Sequence, residues 1–445
     1  MTQSRAQVSL NEASRTWAYI GINSFGGPAG QIAVMHRVIV DDKKWLDEKR
    51  FLHALNFCML LPGPEAMQLA VYIGWLLNGI RGAAVAGTLF VLPGLLIIGI
   101  LAGVYSAFGN VSWIAAILFG IQAAVVAIVV QALVRVARRS LHTGFLVGLA
   151  VASFLTVFVF DLAFPIVVVV ALLAGWVVGR REPGLLGLHD GTDEDIDEVS
   201  QPQAHKARLA GVAALALWLL PLGVLAIGWG VDNLFTQQAW LFSKTAVISF
   251  GGAYAALAYV AQQAVQQYGW IEPRDMVAGL GLAETTPGPL VLVMPFVGFV
   301  SAYRLGDELG LPPALAGVIG LTVTAWVTFL PSFGFVLLGA PSVERLRHNQ
   351  RVAGALAAVT ASVVGVIADL GIWFAQNVFF RELSAVEAGP VDMLRPVWTS
   401  IDGWAVVLAV ASGLLLFGTK WGILRVLGAA AAGGLGLWLV GLVSL

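Results

Sequence analysis

The chain has 445 residues, of which 58% are hydrophobic and 11% are charged, and its formal net charge at pH 7 is −1. Apolar stretches of bilayer-spanning length recur almost to the last residue, so the composition predicts an integral membrane protein and leaves little room for a soluble domain. The balanced charge says nothing about partners, and no nucleic-acid partner is expected. The single cysteine, Cys58, excludes internal disulfides and multi-cysteine metal sites.

Six apolar stretches in the first part of the chain are predicted to span the membrane. In chain order they lie near residues 14–38, 51–77, 83–107, 111–134, 143–160 and 162–179. The polar segment from Arg180 to Arg208 is expected to be a solvated tether, with a regulatory or cation-binding segment as the alternative. Its acidic residues are Asp190, Asp193, Glu194, Asp195, Asp197 and Glu198.

Seven further apolar stretches follow the polar segment. They lie near residues 209–230, 241–265, 276–300, 313–338, 352–380, 402–418 and 426–444. The predicted fold is therefore an all-α polytopic membrane protein with about thirteen transmembrane helices. Two homologous units are expected, residues 1–208 with the acidic linker and residues 209–445 with one extra helix at the start.

Two sequence motifs occur twice, which indicates a duplicated unit. Ser24-Phe25-Gly26-Gly27 recurs as Ser249-Phe250-Gly251-Gly252, and Pro62-Gly63-Pro64 recurs as Pro287-Gly288-Pro289, both 225 residues later. The extra span between the copies reverses the second copy. The halves are therefore predicted to be inverted repeats with broken helices, related by a pseudo-two-fold axis in the membrane plane.

The distribution of lysine and arginine between the predicted loops sets the expected orientation. With the N-terminus in the cytoplasm, sixteen of these residues fall inside and seven outside, which agrees with the positive-inside rule. The cluster from Lys43 to Arg50 falls outside and is the main exception. The N-terminus is therefore expected to be cytoplasmic.

The two glycine motifs are candidate cradles for an oxyanion. A helix break at membrane depth is tolerated only where it is buried or lines a cavity, and its freed amides attract anions. A serine hydroxyl adds a donor, and a proline suits the first turn of a restarting helix. The alternative is that the glycines only allow close helix packing. The candidate binding residues are Asn23, Ser24, Phe25, Gly26, Gly27, Pro28, Ser249, Phe250, Gly251 and Gly252.

The two Pro-Gly-Pro motifs are expected to interrupt further helices next to the same site. Each removes two amide donors and leaves carbonyls that need water, cations or side chains as partners. A purely structural kink is the alternative. The candidate binding residues here are Pro62, Gly63, Pro64, Glu65 and Gln68 in the first copy, and Thr285, Thr286, Pro287, Gly288 and Pro289 in the second.

Charged residues within predicted spans are further candidates, because an intramembrane charge is costly unless it has a function or a partner. Lys244 is the preferred cationic ligand for an anion. Glu65, Glu284 and Asp369 are candidate sites for a proton or counter-ion. The sequence contains neither a phosphate-binding loop nor a zinc-ligand pattern, so no catalytic residue, metal or cofactor is expected.

The motifs together resemble the chromate ion transporter family, in its long two-domain form. The resemblance lies in Ser-Phe-Gly-Gly-Pro, the later Trp-Leu and Leu-Pro-Gly-Pro-Glu-Ala-Met-Gln-Leu-Ala, and in their degenerate copies in the second half. The second copy departs from the first at Ala253, Leu290 and Val293, which replace Pro28, Glu65 and Gln68.

Membership of this family would imply an inner-membrane secondary transporter that exports chromate and confers chromate resistance. The substrate is left open between chromate and sulfate, which are both tetrahedral oxyanions. A channel and a membrane-embedded enzyme are the alternatives from other functional classes. The expected partners are the small anion and the lipid bilayer, and the protein is expected to be a monomer or a homodimer.

Overall fold

The computed structural model describes residues 8–187, 201–250, 253–342, 350–388 and 391–443, nearly all of which are helical. The acidic linker residues and the pair Gly251-Gly252 lie outside the described residues. The first half contains helices α1 (Leu10–Asn23), α2 (Gly27–His36), α3 (Glu48–Cys58), α4 (Glu65–Phe108), α5 (Ser112–Ser140), α6 (Gly144–Phe160) and α7 (Phe164–Arg181).

The second half repeats this order after one connecting helix, α8 (Gln201–Trp229). It contains α9 (Leu234–Ile248), α10 (Ala253–Ala261), α11 (Pro273–Thr285), α12 (Val293–Arg304), α13 (Pro313–Gly339), α14 (Gln350–Phe379), α15 (Gly403–Gly418) and α16 (Ile423–Leu439). Helices α2 and α10 each continue into a π-helical segment, Arg37–Asp42 and Gln262–Gln267. Each half therefore begins with the same broken helix.

A β-hairpin between α14 and α15 is the one element of different class among the described residues. Strands β1 (Leu383–Ala388) and β2 (Val391–Pro396) pair antiparallel, with Leu383 opposite Pro396. The prediction treated this polar stretch between two spans as a loop, because its six-residue strands are too short to stand out from a helical background. The hairpin caps one end of the helix bundle and does not change the predicted fold class.

The first predicted span, residues 14–38, is a hairpin and not a crossing. Lys43 Nζ lies 3.0 Å from Glu12 Oε1, although 31 residues of continuous helix would separate them by about 45 Å. The chain therefore turns back at the glycine motif. Its two ends lie on the same face of the bundle, hereafter the first face.

The second predicted span, residues 51–77, also returns to the first face. His36 Nε2 lies 2.6 Å from Glu48 Oε2, which places the start of α3 beside the end of α2. Asn78 Nδ2 donates to the Val8 carbonyl at 2.7 Å, which places the other end beside the start of α1. At this point Asn78 and Gly79 have non-helical backbone and divide α4 into residues 65–77 and 80–108.

The corresponding helices of the second half form hairpins that open toward the opposite, second face. Arg304 forms two hydrogen bonds to the buried Asp275 carboxylate, at 2.5 and 2.8 Å, so the two ends of predicted span 276–300 meet. Gln262 follows α10, beyond the break between α9 and α10. Its Nε2 atom donates to Asp161 Oδ1 at 2.7 Å, and Asp161 lies in the α6–α7 turn on the second face. The span predicted at 241–265 therefore also turns back.

These contacts correct two expectations. Four predicted spans are re-entrant hairpins, so the predicted count of thirteen crossings is not confirmed. Nine described segments pass from one face to the other: residues 80–108, α5 to α8 and α13 to α16. In the described part of the chain, six helices are long and apolar enough to cross a membrane, and the shorter α6, α15 and α16 are also apolar. The second correction concerns the side of two loops. The prediction placed Lys43 to Arg50 opposite the N-terminus, but they lie on the same face as the N-terminus. It placed Arg274 on the N-terminal side, but Arg274 lies on the opposite face.

Candidate functional site

The tips of the four hairpins meet at the centre of the bundle. The Gly63 N–H donates to the Ser249 carbonyl at 3.0 Å, and the Gly288 N–H donates to the Ser24 carbonyl at 2.8 Å. The donors, like the acceptors, are 225 residues apart. The two bonds are therefore equivalent under the repeat, as expected for contacts related by a two-fold axis. Each Pro-Gly-Pro break is held by the glycine motif of the other half.

The meeting point lies midway between the two faces. Gly94 is the middle residue of segment 80–108, and a Cβ atom there would overlap the Pro287 carbonyl. The equivalent contact in the other half places Gly63 next to Ser332 on α13. Pro93 and Pro331, at matching positions in the repeat, precede these two contacts inside α4 and α13. In each long helix the residue after the proline is small, Gly94 in α4 and Ser332 in α13, and this lets a hairpin tip approach the helix closely.

A small cavity of about 10 Å³ lies between the tips, hereafter the central cavity. This volume is about that of one water, so the cavity is too small to hold an oxyanion in this conformation. The lining residues come mainly from the helices that restart after the breaks: Pro28, Gln31, Gly63, Pro64, Glu65, Ala66, Ala253, Pro289, Leu290 and Val291.

Four helix N-termini therefore surround the central cavity. The restarting segments begin at Gly27, Glu65, Ala253 and Leu290, the last through a 3-10 turn, Leu290–Leu292, that leads directly into α12. The first turn of a helix has free backbone N–H groups and carries a partial positive charge, so convergent N-termini favour an anion. Positive φ angles at Gly26 and Gly27, +86° and +69°, produce the sharp turn that starts α2.

The polar side chains predicted at the glycine motifs bond within their own helices. Ser24 Oγ donates to the Ile20 carbonyl at 2.6 Å, and Ser249 Oγ donates to the Ala246 carbonyl at 3.2 Å. Asn23 Nδ2 likewise donates to the Tyr19 carbonyl at 2.8 Å. The same is true of Thr285 and Thr286, whose hydroxyls donate to the Leu282 carbonyl. In this conformation these side chains bond within their own helices, and none of them is among the residues that line the central cavity.

Two buried glutamines support the Pro-Gly-Pro breaks. Gln68 Nε2 donates to the Pro62 carbonyl at 2.6 Å, and Gln31 Nε2 donates to the Gly288 carbonyl at 2.5 Å. The Oε1 atoms of both side chains are buried without a hydrogen-bond partner. Gln68 was among the predicted residues and Gln31 was not. The signal for Gln31 is its spacing, one helical turn after Pro28 in an apolar helix.

The two predicted glutamates occupy different environments. Glu65 is half-buried and lines the central cavity, with Arg139 of α5 within electrostatic range. Glu284 is fully buried at the end of α11, where its Oε1 accepts from Tyr254 at 2.7 Å. Its Oε2 is buried without a partner. Of the two, only Glu65 faces the central cavity.

Two other predicted residues lie away from the central cavity. The Lys244 ammonium lies 5.5 Å from the centre of the Trp240 ring, one turn earlier on α9. Asp369 lines a separate cavity of about 40 Å³ that opens near the second face, together with Asp161 and Gln262. The roles assigned to Lys244 and Asp369 stay predictions.

The chain is similar to known transport proteins over most of its length. The family model described as chromate transporter matches residues 12–176 and 236–436, and each segment contains one pair of breaks. A chromate transport protein of Pseudomonas aeruginosa is 32% identical over 367 residues, which are 80% of this chain and 79% of that protein. A probable chromate transport protein of Synechococcus elongatus is 26% identical over 82% of this chain and 85% of that protein. An uncharacterized transporter of Methanocaldococcus jannaschii is 27% identical over 80% of this chain and 82% of its own length. No solved structure matches the chain.

Proposed function

Because the chain belongs to the chromate transporter family, we propose that it is a secondary transporter that carries chromate through the central cavity. The observation that carries this proposal is the convergence of four helix N-termini on one closed cavity between inverted hairpins. Backbone amides on several sides suit a tetrahedral oxyanion, which accepts hydrogen bonds in every direction. Sulfate has the same shape and charge, so it is the second candidate substrate.

The burial of the hairpins supports a specific opening movement. The tip residues Leu60 to Pro62 of the first half are half-buried, whereas Thr286 to Val293 of the second half are buried throughout. An oxyanion needs more room than about 10 Å³, so at least one hairpin must move. The tips of the first-half hairpins are less buried, so they lose fewer contacts when they move. We expect them to open the cavity toward the first face.

The charge distribution supports a cytoplasmic first face, and hence a cytoplasmic N-terminus. Seventeen described lysines and arginines lie at or near the first face: Arg15, Arg37, Lys43, Lys44, Lys49, Arg50, Arg81, Arg135, Arg138, Arg139, Arg180, Arg181, Lys206, Arg208, Arg351, Lys420 and Arg425. Four lie at the second face: Arg274, Arg304, Arg381 and Arg395. With the hairpins treated as re-entrant, the cluster at Lys43 no longer conflicts with the positive-inside rule.

The membrane potential makes export the favourable direction, which would confer chromate resistance in an inner membrane. Moving one charge through 100 mV changes its free energy by about 2.3 kcal/mol, so a dianion gains about 4.6 kcal/mol on leaving a negative interior. At about 1.4 kcal/mol per factor of ten, this would sustain a roughly thousandfold outward gradient if no other ion moved with the dianion.

Transport in vesicles of defined orientation tests the proposal. Vesicles containing the protein are loaded with labelled chromate or sulfate, and exit is followed with and without an imposed inside-negative potential. We expect the potential alone to accelerate chromate exit. Exit that responds only to a pH gradient would instead indicate electroneutral exchange, and exit no faster than from protein-free vesicles would contradict the proposal.

The same vesicles separate the alternative functions. A channel would give steady conductance in planar bilayers, whereas a carrier with a closed cavity gives none. A chromate-reducing enzyme would consume Cr(VI) without expelling it. Recovery of the full amount of Cr(VI) outside the vesicles is expected of a transporter.

A further inference from the structure

We propose that the Glu65 carboxylate occupies the anion position of the empty central cavity and takes up a proton whenever an oxyanion binds. One proton would then accompany each transported oxyanion. This inference rests on the proposed function, because it takes the central cavity as the oxyanion site. It adds a co-substrate, the proton, and assigns the residue that binds it.

Glu65 is the only ionisable residue among the described residues that line the central cavity. It is the first residue of α4, and no hydrogen-bond partner is seen for its carboxylate among the described residues. The equivalent residue of the other half, Leu290, is apolar. The cavity therefore has four partly positive helix ends and one carboxylate that can neutralise them.

The Glu65 carboxylate and a dianion cannot share this cavity at low cost. A carboxylate in the first turn of a helix is attracted by the same positive helix end that would attract an oxyanion. In a closed cavity the two negative charges would also repel each other with little screening. Protonation removes the charge and turns an acceptor into an O–H donor, which can donate to an oxyanion oxygen.

Gln31 provides independent support for a protonated state. Its Oε1 atom is buried in the wall of the same cavity and has no donor. A dianion has no hydrogen to offer this acceptor, whereas a protonated carboxyl group has one, which it can donate either to Gln31 or to the oxyanion. A buried acceptor without a donor is costly, so a state that supplies the missing proton is favoured.

Neither of the ionisable neighbours of Glu65 competes with it for the proton. Among the described residues, Arg139 on α5 and Cys58 at the end of α3 interact with it electrostatically. An arginine stays protonated at every pH at which proteins are stable, and the Cys58 thiol is buried. Arg139 is exposed on the first face, which makes that face the side from which the proposed proton would arrive.

The charge balance of a cycle follows directly. A proton from the first face binds to a Glu65 carboxyl oxygen, the dianion enters, and both leave at the second face. The carboxylate then refills the cavity, and the empty carrier returns. Each cycle moves one net negative charge, whereas a carrier without this carboxylate would move two.

Proton uptake on binding tests the inference in the purified full-length protein. Chromate is added in a weakly buffered solution, its binding is measured by calorimetry, and the pH change is recorded with an indicator. The wild type should take up about one proton per bound anion more than Glu65→Gln. Its affinity should fall about tenfold per pH unit above the Glu65 titration, whereas that of Glu65→Gln should not. Protonation of chromate itself is common to both proteins and cancels in the comparison.

Two further variants keep the test decisive. Glu65→Asp keeps a carboxylate and should still take up a proton, which covers the case in which Glu65→Gln does not fold. Glu284→Gln removes the other carboxyl group near the breaks and should leave proton uptake in place. Loss of uptake in Glu284→Gln alone would overturn the assignment to Glu65.

The outcomes separate the inference from the proposed function. If neither the wild type nor any variant binds chromate or sulfate, the central cavity is not the oxyanion site and both proposals fail. If chromate binds and the wild type takes up no more protons than Glu65→Gln, only the inference fails. Transport by Glu65→Gln with two charges per chromate, against one for the wild type, would support it independently.

Discussion

At the scale of single residues, the central cavity depends on backbone conformation more than on charged side chains. The predicted cation Lys244 lies against Trp240, and the predicted hydroxyl donors bond within their own helices. The turn at Gly26 and Gly27 instead points the start of α2 at the cavity. Its positive φ angles are readily adopted only by glycine.

Gly27→Val tests this dependence on conformation. No atom lies within 4 Å of a Cβ placed at Gly27, so the space is open, but φ is +69° and strongly disfavours a β-branched residue. We expect chromate export to be lost while membrane insertion is retained, measured by vesicle transport and by the amount of inserted protein. The matched control is Gly148→Val on α6, where space is also open and φ is not positive. Equal export by Gly27→Val and Gly148→Val would indicate that Gly27 only allows close helix packing.

At the scale of elements, the hairpins of the two halves are closed in different ways. The second-half hairpin of α11 and α12 is closed by Arg304 and the buried Asp275, which also accepts from the Tyr105 hydroxyl and caps α11. The first-half hairpin of α1 and α2 is closed by the exposed pair Lys43 and Glu12. A buried, multiply bonded carboxylate needs its partner far more than an exposed one does.

Arg304→Met should therefore destabilise the protein much more than Lys43→Met. Removal of Arg304 leaves a buried charge and costs about 3 kcal/mol, whereas loss of the exposed pair costs less than about 1 kcal/mol. Thermal unfolding in detergent measures both. The double variant Arg304→Met with Asp275→Asn should recover part of the loss, because the uncompensated charge is gone. Equal destabilisation by the two single variants would contradict the assigned asymmetry.

At the scale of the whole molecule, the two halves enter the membrane from opposite faces and meet at their tips. The reciprocal bonds from Gly63 to Ser249 and from Gly288 to Ser24 have the equivalence that an inverted repeat requires. The proposed orientation assigns the first-half hairpin ends to the cytoplasm. The domain boundary predicted at residue 208 stays a prediction.

Single-cysteine labelling tests this orientation at Trp45 and Trp270, which follow the first hairpin of each half. In a Cys58→Ala background, a membrane-impermeant thiol reagent should label Trp45→Cys only from the cytoplasmic side and Trp270→Cys only from the outside. The reverse pattern would restore the continuous spans predicted from the sequence, and labelling of both from one side would contradict the inverted repeat. The matched control is Thr419→Cys, in the α15–α16 turn on the first face, which should react like position 45.

The sequence alone determined where the helices are, where they break, and which family the chain resembles. Lipid cannot satisfy free backbone groups, so long apolar runs had to be helices, and the repeated glycine and Pro-Gly-Pro motifs had to interrupt them. The predicted bounds of the later spans, such as 313–338 and 402–418, agree closely with α13 and α15.

Only the tertiary structure decided whether a broken helix crosses the membrane or turns back. A run of about 25 apolar residues has the length of a span in either case. The difference depends on contacts between residues far apart in the chain, such as Glu12 with Lys43 and Asp275 with Arg304. Long-range packing likewise placed Gln31 and Glu65 at one cavity and left Lys244 and Asp369 outside it. Local sequence pattern carries no information about such pairings, because their partners are chosen by the packing of the whole bundle.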